Sequence, residues 1–383
     1  MSTSLAVLDE ITLSVYSDIS MIETSWKQLE VSGVAMAFQK FEWCKAWIAN
    51  LAPQIGATAV VLCGRDKAGN LMFVLPFQYR RVANMRILEW LCQQSGGSCG
   101  GLFDQSLCSV EGQTWFTKNI DAIFNLLAPV DATNLRHMPA SLMARKNPLI
   151  ALHSSFAANS SFNLTLQTQY EAILKAKRSS RSISKMRRRD ERLEESGSLK
   201  FEVLVGGDAA EALQDGLDHK NLQLRQIGVG GVFKESDVKF YQQIARAEPN
   251  LLRTFRLQLD EKTLVTMVGV MSGGRFWLLI SALAPNIDLQ FSPGDYLLRR
   301  TIVYCCEAGI DTYDFSLGEQ SYKQLWADNL VEHYNFVVAL SFRGALFAHG
   351  SRVLEFVKRH IKKNTHLNAL YLNLRRRLQG SKP

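Results

Sequence analysis

Residues 276–328, FWLLISALAPNIDLQFSPGDYLLRRTIVYCCEAGIDTYDFSLGEQSYKQLWAD, decide the fold. The run opens with an apolar stretch, residues 276–282, rich in aromatic and branched side chains, which predicts a buried strand. Ser292-Pro293-Gly294-Asp295 then marks a helix start, because a proline at the first helical position has no N–H to leave unsatisfied. Leu298, Ile302 and Cys305 follow at helical spacing, and Gly309 stands where a helix C-cap is expected. Residues 312–317 predict a second buried strand. Such a strand–helix–strand unit can hold an anion, since free N–H groups and the positive dipole end at residues 293–296 point beyond the first strand. Gly294 leaves room there for close approach of a ligand.

Working back, residues 251–259, 264–271 and 275–282 predict a three-stranded meander with turns at Asp260-Glu261-Lys262 and Gly273-Gly274. A strand at 201–205 and helices at 211–225 and 236–247 precede it. Residues 170–196 predict a helix or helix pair dense in Lys and Arg, which reads either as a solvated face or as a basic rim for a phosphorylated ligand. No nucleic-acid reader motif accompanies that charge. In the first half, a strand at 12–16 is followed by helices carrying Trp26 and Leu29, then Phe41, Trp43 and Trp47. A meander at 57–64, 71–79 and 86–91, a helix at 114–127 and a strand at 133–137 come next. The Gly-rich run QQSGGSCGG (93–101) fits no phosphate-loop pattern and predicts a flexible loop. After the second unit come a strand at 335–342 and a long basic helix at 346–378. The order of helices, meander, helix and strand repeats in both halves although the residues do not. The expectation is an α/β (α+β) protein of two tandem lobes, each a mixed, mostly antiparallel sheet flanked by helices. The expected divisions are 1–160, 161–345 and a C-terminal basic helix, 346–383, with the small polar run 154–161 as the boundary.

With 383 residues, 47% apolar and 21% charged, the composition is that of a globular chain able to bury two cores. No apolar run is long enough to span a bilayer, and the first 18 residues carry neither a basic n-region nor an apolar h-region. Seven irregularly spaced cysteines, without a CxxC, point to reduced thiols in a cytoplasmic protein and against a structural metal. Cys305 and Cys306 read as packing residues. The net charge of +8 is concentrated at 175–192 and in the C-terminal tail, where it suits acidic ligands, anionic lipid or nucleic acid.

SPGDYLL (292–298), EAGIDTYDFSLG (307–318), SYKQLWA (321–327) and RRRDERLEESGSLKFEVL (187–204) resemble the Gcn5-related N-acetyltransferase (GNAT) superfamily. The closer resemblance is to two-lobed acetyltransferase-like proteins associated with bacterial cellulose and exopolysaccharide biosynthesis, related to Fem-type aminoacyltransferases. TSWKQLE (24–30), FEWCKAW (41–47) and LPFQYRR (75–81) resemble that family's first lobe. The resemblance implies an acyl-CoA N-acyltransferase fold and transfer of an acetyl or other acyl group from acyl-CoA to an amine or sugar. It also implies a place in polysaccharide or cell-envelope biosynthesis, and contact with an anionic membrane or polysaccharide-synthesis proteins. In place of the superfamily's Arg/Gln-x-x-Gly-x-Gly/Ala loop stands Phe291-Ser292-Pro293-Gly294-Asp295, which keeps the glycine and lacks the leading Arg or Gln. The alternatives are therefore a Fem-like transferase using aminoacyl-tRNA and a non-catalytic member of a polysaccharide-synthesis assembly.

The site residues follow from the same resemblance. Ile280, Ser281, Ala282 and Leu283 would bind the pantetheine arm of acetyl-CoA or another acyl-CoA. Ser292, Pro293, Gly294, Asp295 and Tyr296 would hold its pyrophosphate. Tyr322 would protonate the leaving thiolate, or cap the core edge, and Lys323 would neutralise an oxyanion or hold an acidic acceptor, or stand as a surface lysine. Asp314, out of phase with Tyr313 and Phe315, would serve as base or orienter in the cleft, or make a local hydrogen bond at the strand edge. Arg181 and Arg225 would grip a phosphate or carboxylate, or form surface ion pairs. No metal is expected.

Overall fold

The computed structural model describes residues 11–95, 97–153, 155–167, 169–226, 233–287, 289–318 and 320–363. The chain forms two compact units.

In the first unit β1 (Thr12–Tyr16), α1 (Glu23–Ser32) and α2 (Phe41–Asn50) precede a meander of β2 (Thr58–Arg65), β3 (Leu71–Val82) and β4 (Met85–Trp90). The β3–β4 turn holds Ala83 and Asn84 at φ 46° and 66°, the two-residue left-handed geometry that suits the twist of a hairpin. Short strand β5 (Leu102–Phe103) pairs with β3. α3 (Val110–Leu126) starts at Ser109, whose Oγ accepts from Gly112 N–H at 3.2 Å. β6 (Ala132–Thr133) runs parallel to β4. β7 (Leu135–Pro139), the hairpin β8 (Ser141–Leu142) and β9 (Arg145–Lys146), and β10 (Ser155–Phe156) follow. Trp26, Trp43, Trp47, Trp90, Phe73 and Phe116 are all fully buried in this core. Residues 97–101 of the Gly-rich run are packed, contrary to the expected flexible loop. Ser98 and Cys99 are buried, and Cys99 N–H donates to His137 O at 2.9 Å.

The second unit is a seven-stranded sheet ordered β12-β13-β14-β15-β16-β11-β17. Its strands are β11 (Ser161–Thr165), β12 (Leu199–Leu204), β13 (Leu252–Leu259), β14 (Lys262–Ser272), β15 (Arg275–Leu283), β16 (Thr312–Leu317) and β17 (Asn329–Val331). Helices α4 (Tyr170–Lys177) and α5 (Ser180–Glu195) come first. The break between them is made by Ser179, whose Oγ accepts from Ser182 N–H. α6 (Gly206–Gln226) and α7 (Glu235–Ala247) precede the meander, and α8 (Pro293–Glu307) joins β15 to β16. α9 (Ser321–Trp326) follows β16. One face of the sheet carries the apolar core, where Phe255, Phe276, Tyr313 and Phe315 meet Ile173 of α4, Met186 of α5 and Ile302 of α8. Cys305 and Cys306 belong to that core. α6 lies on the other face, over β13, β14 and β15.

β11 is a strand that the Ser/Asn-rich boundary concealed; it pairs antiparallel with β16, from Ser161↔Leu317 to Thr165↔Thr312. The assignment of 331–345 to the second lobe is corrected. β18 (His333–Phe336) pairs antiparallel with β7 and β10, so the chain from Val331 returns to the first unit. There α10 (Phe342–Lys363) begins four residues earlier than the expected helix, and residues 364–383 of that helix lie outside the described residues.

Candidate active site

The site begins where two parallel strands part. β15 and β16 pair only at Arg275↔Thr312, Phe276↔Tyr313 and Trp277↔Asp314. Beyond Trp277, β15 stays with β14 as far as Leu283, while β16 stays with β11. An extra residue near Leu279 marks the parting, since Gly269 faces Leu278 but Val268 faces Ile280. The facing edges of the two strands therefore carry backbone groups with no strand opposite. Such groups are costly to bury unpaired.

Two lysines take up carbonyls on those edges. Lys220, from α6, donates from Nζ to Ser281 O at 2.8 Å. Lys323, from α9, donates to Ser316 O at 3.2 Å and Leu317 O at 3.0 Å. Burial lowers the proton affinity of both ammonium groups. For Lys323 the pKa falls to about 8, held up by Asp314 and pushed down further by the charge of Lys220. Asp314 is buried on the sheet face opposite Tyr313 and Phe315. Burial raises its pKa, opposed by Arg275 at 3.3 Å, by the Ser316 N–H at 2.8 Å and by Lys323. Ser316 sits at φ 58° and its buried Oγ has no partner. His219 Nδ1 and Gln223 Oε1, one turn apart on α6 beside Lys220, are likewise buried and unpartnered. Buried polar atoms left open near a cleft mark where a ligand or water completes the bonding.

Of the three expected catalytic residues, Lys323 and Asp314 come together at the parted edges. Tyr322 points elsewhere, packing edge-on to Phe315 with ring centroids 6.3 Å apart; burial pushes its hydroxyl up to about 12. Lys220, His219 and Gln223 were missed, because nothing in the spacing of a polar helix indicates which turn faces a cleft.

The expected pyrophosphate site, the first turn of α8, is partly occupied by its own chain. Ser292 caps α8 at φ 50°, and its carbonyl accepts from both Asp295 and Tyr296 N–H at 3.0 and 3.1 Å. α5 docks on this turn. Arg189 donates to Ser292 Oγ at 2.9 Å, Tyr296 donates to Glu194 at 3.0 Å, and Arg299 pairs with Asp190 and Asp295. Asp295 places a carboxylate at the positive end of the helix, where an anion would otherwise go. Ile280 and Ala282 are buried, and Ser281 and Leu283 are half-buried on the parted edge. Arg181 and Arg225 are exposed, on α5 and at the end of α6. Arg181 heads a stripe with Lys185, Arg188 and Arg192 along the exposed side of α5. Among the described residues no group of three or more His, Cys, Asp or Glu could hold a metal ion. No helix there is long and apolar enough to cross a membrane.

A sheet whose central parallel strands splay beside a helix N-terminus, with ionisable groups at the opening, is the arrangement of an acyltransferase-type domain. Residues 179–324 match the family of acetyltransferase (GNAT) domains. The match runs from α5 to α9, so the second unit carries a GNAT-type domain. Among solved structures the chain is similar to FemX, with 11% identity, TM-score 0.56, and coverage of 85% of this chain and 97% of that one. It is also similar to a conserved protein of unknown function from Bacteroides thetaiotaomicron, with 9% identity, TM-score 0.52 and coverage of 85% and 99%. A third is the C-terminal domain of a protein assigned as a lysylphosphatidylglycerol synthetase from Agrobacterium fabrum, with 11% identity, TM-score 0.51 and coverage of 88% and 98%. At such identities the likeness shows a shared fold. No curated protein matches the chain.

Proposed function

We propose that the second unit transfers an acyl group from an acyl-CoA thioester to an amine or sugar hydroxyl seated between β15 and β16, in polysaccharide or cell-envelope synthesis. The observation that carries this reading is the pair of lysines, Lys220 and Lys323, on the carbonyls of the two parted strands. Their charges suit an acceptor that itself bears a carboxylate or phosphate. The chemistry is largely positioning. The acceptor nitrogen or oxygen attacks the acyl carbon and its proton passes to Lys323 in its neutral form. The C–S bond breaks, and the departing thiolate takes the proton that Lys323 received. Asp314 holds Lys323 in place electrostatically, and the pantetheine arm lies along the open edge of Ile280–Leu283.

A second reading has its own observation. Only Gly294 N–H in the first turn of α8 is left untied to Ser292, and Asp295 disfavours a pyrophosphate there. The stripe of Arg181, Lys185, Arg188 and Arg192 suits a longer polyanion, such as aminoacyl-tRNA. The two donors separate in one set of measurements. A thermal midpoint that rises with acetyl-CoA or a longer acyl-CoA, and stays flat in Gly294→Trp, supports the thioester donor. No rise with either, together with tRNA binding that weakens steeply with salt and is lost on replacing Arg181, Lys185, Arg188 and Arg192 by Gln, supports the second. Lys323→Met is expected to lower turnover by roughly a hundredfold or more. An unchanged rate removes Lys323 from the mechanism.

A further inference from the structure

α10 is packed the wrong way round for an ordinary surface helix. The line it turns toward the first unit is Gly344, Ala348, Ser351 and Glu355. Gly344 comes so close to Asp131 that a Cβ there would lie 1.7 Å from its carbonyl oxygen. Glu355 is tied down on both oxygens, by Arg136 Nη1 at 2.9 Å and by Ala158 N–H at 3.1 Å. The small and polar residues are thus inside and the large apolar ones outside. Phe342 is 96% exposed, Leu346 79% and Phe356 63%, with Val353 and Val357 between and beside them. Steps of four, seven and three residues put these on one stripe along the helix. An apolar stripe of that length is unusual with nothing among the described residues to cover it.

The charge around the stripe identifies the cover. From residue 356 to the last residue the sequence carries eight Lys and Arg and no Asp or Glu. Arg359 lies 4.4 Å from the ring of Phe156, which in turn stacks on Tyr334, so an aromatic and basic border flanks the C-terminal end of the helix. A second copy of this chain, at net charge +8, would bring the same basic border against itself. An anionic bilayer surface accepts both features at once. Apolar side chains enter the acyl boundary and cations meet the headgroups.

We infer that α10 is a docking helix that lays the stripe of Phe342, Leu346, Val353 and Phe356 into the surface of an anionic phospholipid membrane. The test is sedimentation of the full chain with vesicles of phosphatidylcholine containing about a quarter phosphatidylglycerol, against pure phosphatidylcholine. Anionic vesicles are expected to bind at least about tenfold more tightly, and raised salt to weaken them. The combined variant Phe342→Ser, Leu346→Ser and Phe356→Ser is expected to lose roughly tenfold or more of that binding with its thermal midpoint unchanged, since all three side chains are exposed. Absence of binding to anionic vesicles overturns the inference, as does binding that the triple variant retains in full. A wild-type dimer in lipid-free solution that the triple variant turns into a monomer overturns it too, by making a second copy the occupant.

Discussion

Arg299 Nη1 and Nη2 each lie 2.6 Å from a carboxylate oxygen of Asp190, a two-pronged pair that fastens α5 to the second turn of α8. Its position matters because α5 carries the exposed basic stripe and α8 carries the candidate anion site. Together with the Arg189–Ser292 and Tyr296–Glu194 contacts it fixes the direction of the stripe relative to the cleft.

Arg299 is only 10% exposed, so removing it strands a carboxylate in a poorly hydrated place. Arg299→Met is expected to cost about 3 kcal/mol, measured by urea denaturation. The double variant with Asp190→Asn should cost less than the two single changes added together, because the second change relieves the charge left by the first.

The pH dependence of Lys323 has a definite sign. Its pKa is about 8 in the folded chain and near the ordinary lysine value when unfolded, so the unfolded chain holds more protons between about 8 and 10.5. Stability from this group is present above that window and lost as pH falls through it. Lys323→Met should reduce the slope in denaturation measured from pH 8 upward, leaving the part due to Lys220. In the proposed reaction the rate rises on the alkaline side with an apparent pKa near 8. Lys220→Met removes a repelling charge and should move that limb upward. A limb that stays put in Lys220→Met would show that the two lysines do not sense each other.

His333 makes the first unit acid-sensitive. Its ring is buried and held down to about 3, chiefly by burial and then by His137. The neutral ring donates from Nδ1 to Val331 O and accepts at Nε2 from Ser98 Oγ at 2.8 Å. The unfolded chain binds the extra proton from the ordinary histidine value downward, so stability falls as pH drops from about 6.5 to 3. His333→Gln should flatten that fall while lowering stability at neutral pH, read from thermal midpoints across the range.

Two glycines near the parted strands should respond oppositely to one methyl group. At Gly269 a Cβ would lie 2.1 Å from the Phe276 ring and 2.7 Å from Trp277 O. Gly269→Ala is expected to cost about 1–3 kcal/mol by overpacking. At Gly294 the nearest atom would be Leu283 Cδ2 at 3.6 Å, an ordinary contact. Gly294→Ala should leave the thermal midpoint within about a degree of wild type. A large loss there would mean that the first turn of α8 is tighter than described.

What the sequence made legible depended on whether the signal was local. The strand at 312–317 and the helix start at Pro293 were readable because apolar patterning and proline act within a few residues. The fold class followed, since a meander leading into strand–helix–strand leaves few topologies. β11 was hidden because its five residues, SFNLT, are too few and too polar for a pattern and take their structure from β16. β18 was assigned to the wrong lobe because its partners, β7 and β10, lie far back in the chain. Lys323 could be singled out beside its tyrosine, whereas Lys220 is one lysine among many on a polar helix and is distinguished only by the carbonyl it reaches across the sheet.

The lysines on the strand edges have one more consequence. A carbonyl that accepts from an ammonium keeps a second lone pair, so a ligand amide either shares it or displaces the lysine. A ligand that displaces a lysine from the Ser281, Ser316 or Leu317 carbonyl sends it back toward water, where its proton affinity recovers. Near and above pH 8 ligand capture is then coupled to proton uptake from the medium. The heat of binding would depend on the ionisation enthalpy of the buffer, so calorimetry in two buffers of equal pH counts the protons directly. Where a lysine is displaced, ligand capture is itself an acid–base event.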